Sequence, residues 1–149
     1  MKKPNITELG TLQPFPKTRS SMRKALGSKR NDFTITHPVP DELKFFLKQH
    51  PEIHLLEKEG CVMRFNTGVE LHRDPENVLL WVIDGCRHRD NQLINEHSHT
   101  FLKNGTVLHF NAKKEHAVVA TTQSDWIVYG IFANLRRTKK TVDNGSVLM

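Results

Sequence analysis

Met63-Arg-Phe-Asn-Thr-Gly-Val-Glu-Leu-His72-Arg-Asp74 and Gly105-Thr-Val-Leu-His-Phe-Asn-Ala-Lys-Lys-Glu-His116 are the two runs on which the reading of this chain turns. Each leads a strand-like segment into a histidine. Residues i and i+2 of an extended strand project to the same side, so His72 and Asp74 can address one ion together. His116, arriving from a distant strand, would supply a third ligand. Two histidines and one carboxylate cover one face of an octahedron and leave the opposite face open for substrate.

The sequence on either side reads as short strands. Cys61-Val-Met-Arg-Phe65 precedes a turn at Asn66-Thr-Gly68, and Val69-Glu-Leu71 leads into the His-x-Asp pair. Val78-Leu-Leu-Trp-Val-Ile83 is apolar on both faces, as a strand covered on both sides must be. Gln92–Asn95 and Thr100–Leu102 flank a polar Glu96-His-Ser-His99, and Lys103-Asn-Gly105 is a turn signal. Thr106–Phe110, His116–Thr121 and Trp126–Ala133 follow as further strands. Many short strands at this spacing predict a mainly β sandwich or barrel.

Upstream of this region, Phe33-Thr-Ile-Thr alternates as a short strand, and Pro38-Val-Pro40 stops it before Asp41, a helix-capping residue. Leu43, Phe46 and Leu47 then form an apolar helical stripe. Pro51 either ends that helix or opens a second short one through Ile53, Leu55 and Leu56. One or two helices are therefore expected outside the sheet, with a further helical turn at Ser21–Leu26 closed by Gly27.

The charge is distributed unevenly. Of the formal +6, residues 1–30 hold eight Lys or Arg against Glu8 alone, a net +7 that leaves about −1 for the remainder. With few large apolar groups, residues 1–30 are expected to form a basic flexible arm or to lie across the surface of a single domain spanning 31–149, whose C-terminal tail is also basic. Such an arm is a common footprint for a polyanion, so Lys17, Arg19, Arg23, Lys24, Lys29 and Arg30 are candidate nucleic-acid contacts. No stretch has the length of an apolar membrane span, and no apolar segment follows Met-Lys-Lys-Pro-Asn as in a signal peptide. A cytoplasmic location and no membrane partner are the expectation. Cys61 and Cys86 have no metal-ligand spacing and read as reduced thiols.

Among nine histidines, His88-Arg-Asp90 repeats the His-x-Asp spelling and His97-Ser-His99 the i, i+2 geometry. The former falls in a loop with no apolar frame, and the latter reads better as a substrate-facing pair. His109, between Leu108 and Phe110, reads as a core or sheet-face histidine.

Residues 60–135 resemble the iron(II)/2-oxoglutarate oxygenase superfamily, whose fold is the double-stranded β-helix. Phe65-Asn-Thr-Gly68 before Val-Glu-Leu-His72-Arg-Asp74 resembles that family's approach to its His-x-Asp motif, with Phe where Tyr is common. Gly105-Thr-Val-Leu-His-Phe110 and His116 resemble the run to its distal histidine. The resemblance implies Fe(II) at His72, Asp74 and His116, with 2-oxoglutarate as small-molecule cosubstrate and Phe65 beside it. One departure stands out. The Arg or Lys that this family sets on the last core strand for the 2-oxoglutarate carboxylate is missing from Gln123-Ser-Asp-Trp126-Ile-Val. Arg136, further along on the parity of Trp126, and Arg64 or Lys103, from other elements, are the substitutes. Gly105 to His116 is also similar to the second cupin motif, with Asn111 where Pro is usual and Lys113 where Gly is usual.

Three functions follow as expectations. The first is an Fe(II)/2-oxoglutarate-type oxygenase that hydroxylates or demethylates a substrate, which the arm suggests is a nucleic acid. The second is a non-catalytic, basic-armed β-domain that binds nucleic acid or a protein complex, as a viral or mobile-element accessory factor would. The third is a cupin-like metal enzyme that does without 2-oxoglutarate.

Overall fold

Every side chain from Val78 to Ile83 is buried, so this strand has apolar material against both of its faces. A computed structural model, describing residues 6–27, 33–87 and 89–136, shows what covers each side. In chain order the elements are β1 (Ile6–Thr11), α1 (Pro16–Leu26), β2 (Phe33–Pro38), α2 (Asp41–Leu47), β3 (Ile53–Leu55), β4 (Glu59–Phe65), β5 (Val69–His72), β6 (Val78–Asp84), β7 (Asn91–Asn95), β8 (His99–Leu102), β9 (Thr106–Phe110), β10 (His116–Ala120) and β11 (Trp126–Leu135).

The strands form two antiparallel sheets. A large sheet runs β1-β9-β6-β11-β4-β2, with β3 added to β11, and a smaller one runs β5-β10-β7-β8. The alternation of β6 assigns its two faces. Val78, Leu80 and Val82 point between the sheets, where they meet Leu93, Leu102, Leu108, Phe110, Trp126 and Val128. Leu79, Trp81 and Ile83 point to the outer side, where Met22 and Leu26 of α1 and Leu43 of α2 cover them. The small sheet thus lids one face of the large sheet and the helices lid the other. The fold is mainly β, a jelly-roll of the double-stranded β-helix type.

Two expectations differ from this structure. Residues 6–26, read as a flexible arm, are built into the fold: β1 pairs with β9 along the edge of the large sheet. Met22 and Leu26 are 0% and 1% exposed, the Trp81 indole N–H donates to Leu12 O at 2.7 Å, and the Phe15 N–H donates to the buried Glu42 carboxylate at 2.8 Å. Few apolar residues suffice because they are spaced to one helix face and find a preformed sheet to cover. Pro16 occupies the first turn of α1, and Gly27 ends it at φ 62°, the left-handed region glycine adopts without strain.

The second difference lies at Ile53–Leu55. The segment read as the end of one helix or the start of another is the strand β3, paired with Ala133–Leu135 of β11. Lys29 and Arg30 lie outside the described residues, and among the described helices none is long and apolar enough to cross a membrane.

Candidate metal centre

Register brings the ligand candidates together. Across the β5–β10 pair, His72 stands directly opposite His116, and Val69 opposite Val118. Three steps along β5 match two along β10, a bulge. The extra residue lets Val69 and His72, an odd and an even position, both line the space between the sheets; re-aiming a side chain is a common role of bulges beside functional sites. Asp74 follows the end of β5 and is tied to the β9–β10 connection by its backbone N–H, which donates to Ala112 O at 2.8 Å.

In the resulting triad, His116 Nε2 lies 3.2 Å from Asp74 Oδ2 and His72 Nε2 lies 3.7 Å from the same oxygen. The two rings have centroids 4.3 Å apart. An octahedral ion with ligand bonds of about 2.1 Å has edges of about 3 Å, so these separations are close to those of three ligands on one face. His72, Asp74 and His116 are also the only His, Cys, Asp or Glu group of this kind among the described residues.

Hydrogen bonding fixes which nitrogen faces the centre. His72 Nδ1 lies 2.7 Å from Glu70 O, and His116 Nδ1 lies 2.9 Å from Lys114 O. A carbonyl oxygen only accepts, so each Nδ1 donates, and in the neutral imidazole it is Nε2 that keeps the lone pair. Histidines that ligate metals are oriented by this kind of bond. With both rings neutral, two lone pairs and a carboxylate oxygen converge on one point. Such a group could hold a metal ion, and a set of two nitrogens and one oxygen suits iron and its first-row neighbours.

Around the triad the cavity is apolar and measures about 130 Å³, the liquid volume of roughly four waters. Phe110 meets the His116 ring edge-on at 4.8 Å. Phe65 lies 4.9 Å from Trp126, whose indole N–H donates to Thr67 O at 2.8 Å. The His116 side chain is 4% exposed, whereas His72 and Asp74 are 40% and 31% exposed, so the centre is open on the β5 side.

The other candidates lie elsewhere. Phe65 lines the cavity. Arg64, its neighbour on a pleated strand, points to the opposite face, where its guanidinium donates to Gly27 O at 3.1 Å. Arg136 is exposed beyond the end of β11, with its backbone N–H on Glu52 O at 2.6 Å. Lys103 sits exposed in the β8–β9 turn. Among the described residues no Arg or Lys lines the cavity, which corrects the assignment of Arg64 and Arg136 to a cosubstrate there.

His97 and His99 do not converge on the triad either: His97 pairs with Glu96 at 2.6 Å and His99 with Gln92 at 2.7 Å. Asp90 O accepts the Thr121 N–H, and His88 is outside the described residues. His109 is a core residue. Its Nε2–H donates to Ala133 O at 2.7 Å, and burial pushes its pKa below the ordinary value. Lys17, Arg19, Arg23 and Lys24 ride on α1, on the side of the large sheet away from the triad, and Arg23 forms an ion pair with Asp84.

Comparison with solved structures bears on the architecture. A Pseudomonas putida prolyl-4-hydroxylase matches with a TM-score of 0.52 at 11% identity, covering 90% of this chain and 94% of that one. The fold is one this hydroxylase shares. A cupin-2 domain protein from Shewanella frigidimarina matches at 0.47 and 9% identity over 76% of this chain and 95% of that one. A cupin superfamily protein from Desulfitobacterium hafniense matches at 0.46 and 14% identity over 92% and 100%. No protein-family model matches the sequence, and no curated protein does. At these identities the likeness concerns the fold alone.

Proposed function

We propose that the chain is a mononuclear metal enzyme of the non-haem oxygenase kind, with His72, Asp74 and His116 holding Fe(II). The observation that carries this reading is the paired Nδ1 bonds to Glu70 O and Lys114 O, which turn both Nε2 atoms toward Asp74. Iron bound there would supply the redox chemistry with dioxygen. The chain's own residues do the rest. Asp74 gives the centre its negative charge, the backbone carbonyls hold the rings in one tautomer, and Phe65, Phe110, Leu93 and Trp126 keep the cavity apolar.

The cavity favours a cosubstrate reading different from the family resemblance. A carboxylate buried without a cation is costly, and no Arg or Lys lines this space among the described residues. An enzyme whose substrate itself completes the coordination is therefore better supported than one that binds 2-oxoglutarate. The position of Lys17, Arg19 and Lys24 across the sheet from the triad argues that any nucleic acid held by α1 is a partner rather than the compound oxidised.

The test is anaerobic titration of the whole chain with Fe(II), followed by 2-oxoglutarate. Saturable binding of one iron, absent in His72→Ala, and no visible charge-transfer band on adding 2-oxoglutarate are the expected results. A band that needs both components would restore the 2-oxoglutarate reading. Failure of the wild-type chain to bind iron would overturn the metal reading.

A further inference from the structure

Thr34, Glu57 and Cys61 line a second cavity of about 160 Å³ for which the metal reading has no use. Three of its other lining residues, Met63, Asp74 and Val78, also line the triad cavity. The two spaces are therefore parts of one groove, with Asp74 at the junction. The register explains the continuity: Thr34 of β2 lies directly opposite Met63 of β4, and directly opposed residues of paired strands share a face. Gly130 keeps the floor low, since a Cβ there would meet Met63 Cε at 3.0 Å.

The chemistry of this extension is one-sided. Its charged groups are Glu57 and Asp74, and no Lys or Arg lines it among the described residues. Met63, Val78 and Phe132 supply an apolar wall. With Asp74 committed to the metal, Glu57 remains as the charge that faces a ligand. The Cys61 thiol registers the same field: burial first, and then the negative charge of Glu57, push its pKa up.

We propose that this groove is the substrate subsite and that it selects a small primary amine, with its ammonium group at Glu57 and its alkyl chain along Met63 and Phe132 toward the triad. Thr34, which lines the same space, offers a hydroxyl acceptor to the ammonium. The proposal deepens the metal-enzyme reading and rests on it for the chemistry, but binding in the groove needs no metal and is measured without one.

The experiment uses the full chain carrying ¹³C-methyl methionine, titrated with n-butylammonium, n-butanol and butyrate in the absence of metal. Met63 reports the groove, and Met22, buried under α1 on the other side of the sheet, is the internal control. The Met63 methyl signal is expected to shift saturably with butylammonium while Met22 stays still. Affinity for butanol is expected to be about fivefold weaker, the scale of a partly solvated ion pair, and Glu57→Gln should bring the two ligands level. Butyrate binding as well as butylammonium, or a Met63 signal that none of the three ligands moves, would overturn the proposal. Fe(II) titration of Glu57→Gln separates the two ideas: unchanged iron binding alongside lost amine preference is expected. Iron binding in a protein whose Met63 ignores amines would leave the metal centre standing and remove the subsite.

Discussion

The Nε2 of His116 stands 3.2 Å from Oδ2 of Asp74 while the Nδ1 of the same ring is bonded to Lys114 O. With the ring neutral, that pairing sets two acceptors against each other, an arrangement that a bound cation would relieve. Replacing Asp74 by Asn puts an N–H donor where the carboxylate was. The amide can bond the His116 Nε2 lone pair, so metal-free Asp74→Asn is expected to match or exceed the wild type in stability by up to about 1 kcal/mol. Its response to metal should be lost. In the wild type, Co(II) or Fe(II) at about 100 times its dissociation constant adds about 2.7 kcal/mol by linkage, or roughly 5–10 °C in Tm for a chain of this size. Thermal melts with and without metal check both halves. A metal-induced shift that survives in Asp74→Asn and in His116→Ala would remove the triad from the argument.

Gly68 bears on the same centre through the backbone. A Cβ at this position would lie 2.3 Å from Val118 O, a contact no rotamer relieves because both atoms are tied to the main chain. Gly68→Ala must therefore push the start of β5 away from β10, and with it His72. Overpacking of this kind typically costs about 1–3 kcal/mol. Because His72 moves against His116, iron affinity is expected to fall by at least about tenfold, even in the fraction that remains folded. Urea denaturation together with iron titration of the variant separates these two losses.

The N-terminal segment is a structural element, and its removal should show this. Met22 is fully buried against the outer face of the large sheet, so Met22→Ala is expected to cost about 2–5 kcal/mol. The midpoint of urea unfolding would drop with little change in slope. An exposed neighbour on the same helix, Lys24→Ala, should leave the midpoint almost unmoved. Equal midpoints for Met22→Ala and the wild type would return residues 6–26 to the status of an appended arm.

These residues also show which parts of the structure the sequence discloses. Strand β6 is legible because six consecutive apolar residues admit only a strand with cover on both sides. The candidate triad is visible as a His-x-Asp pair and a later His, although Asp74 reaches His72 from beyond the end of β5, held by Ala112 O, and not through strand pleating. The opposition of Phe65 to Arg64 does follow from the pleat of β4. The assignment of Arg64 to the cavity conflicts with that alternation, since Met63 and Phe65 already point inward. Two features leave little local trace. The bulge in β5 depends on how Glu70 and Leu71 pair across to β10, a property of two strands rather than of one. The packing of α1 depends on a sheet assembled from residues far along the chain, so a segment poor in apolar residues looks unstructured until its partner is known. The strand β3 is similar: three residues acquire strand geometry only because the end of β11 offers an edge to pair with.

His109 supplies a pH dependence independent of the metal. It is 4% exposed and donates through Nε2 to Ala133 O, and burial lowers its pKa in the folded state despite that bond. The unfolded chain, with an ordinary histidine, takes up a proton near pH 6.5, whereas the folded chain resists protonation until a lower pH. Between those values the unfolded state binds more protons, so acidification favours unfolding. The stability tied to neutral His109 is thus fully present above the unfolded value and is lost as pH falls from there toward the folded value. Replacing the ring by Gln keeps an N–H donor for Ala133 O but removes the titration. Wild type and His109→Gln should therefore converge in their dependence on pH above about pH 7 and diverge as pH falls below about 6.5, the wild type falling more steeply. Urea midpoints measured across that range give the two slopes directly. Parallel curves would mean that His109 is protonated with equal ease in both states, contrary to its burial in the sheet.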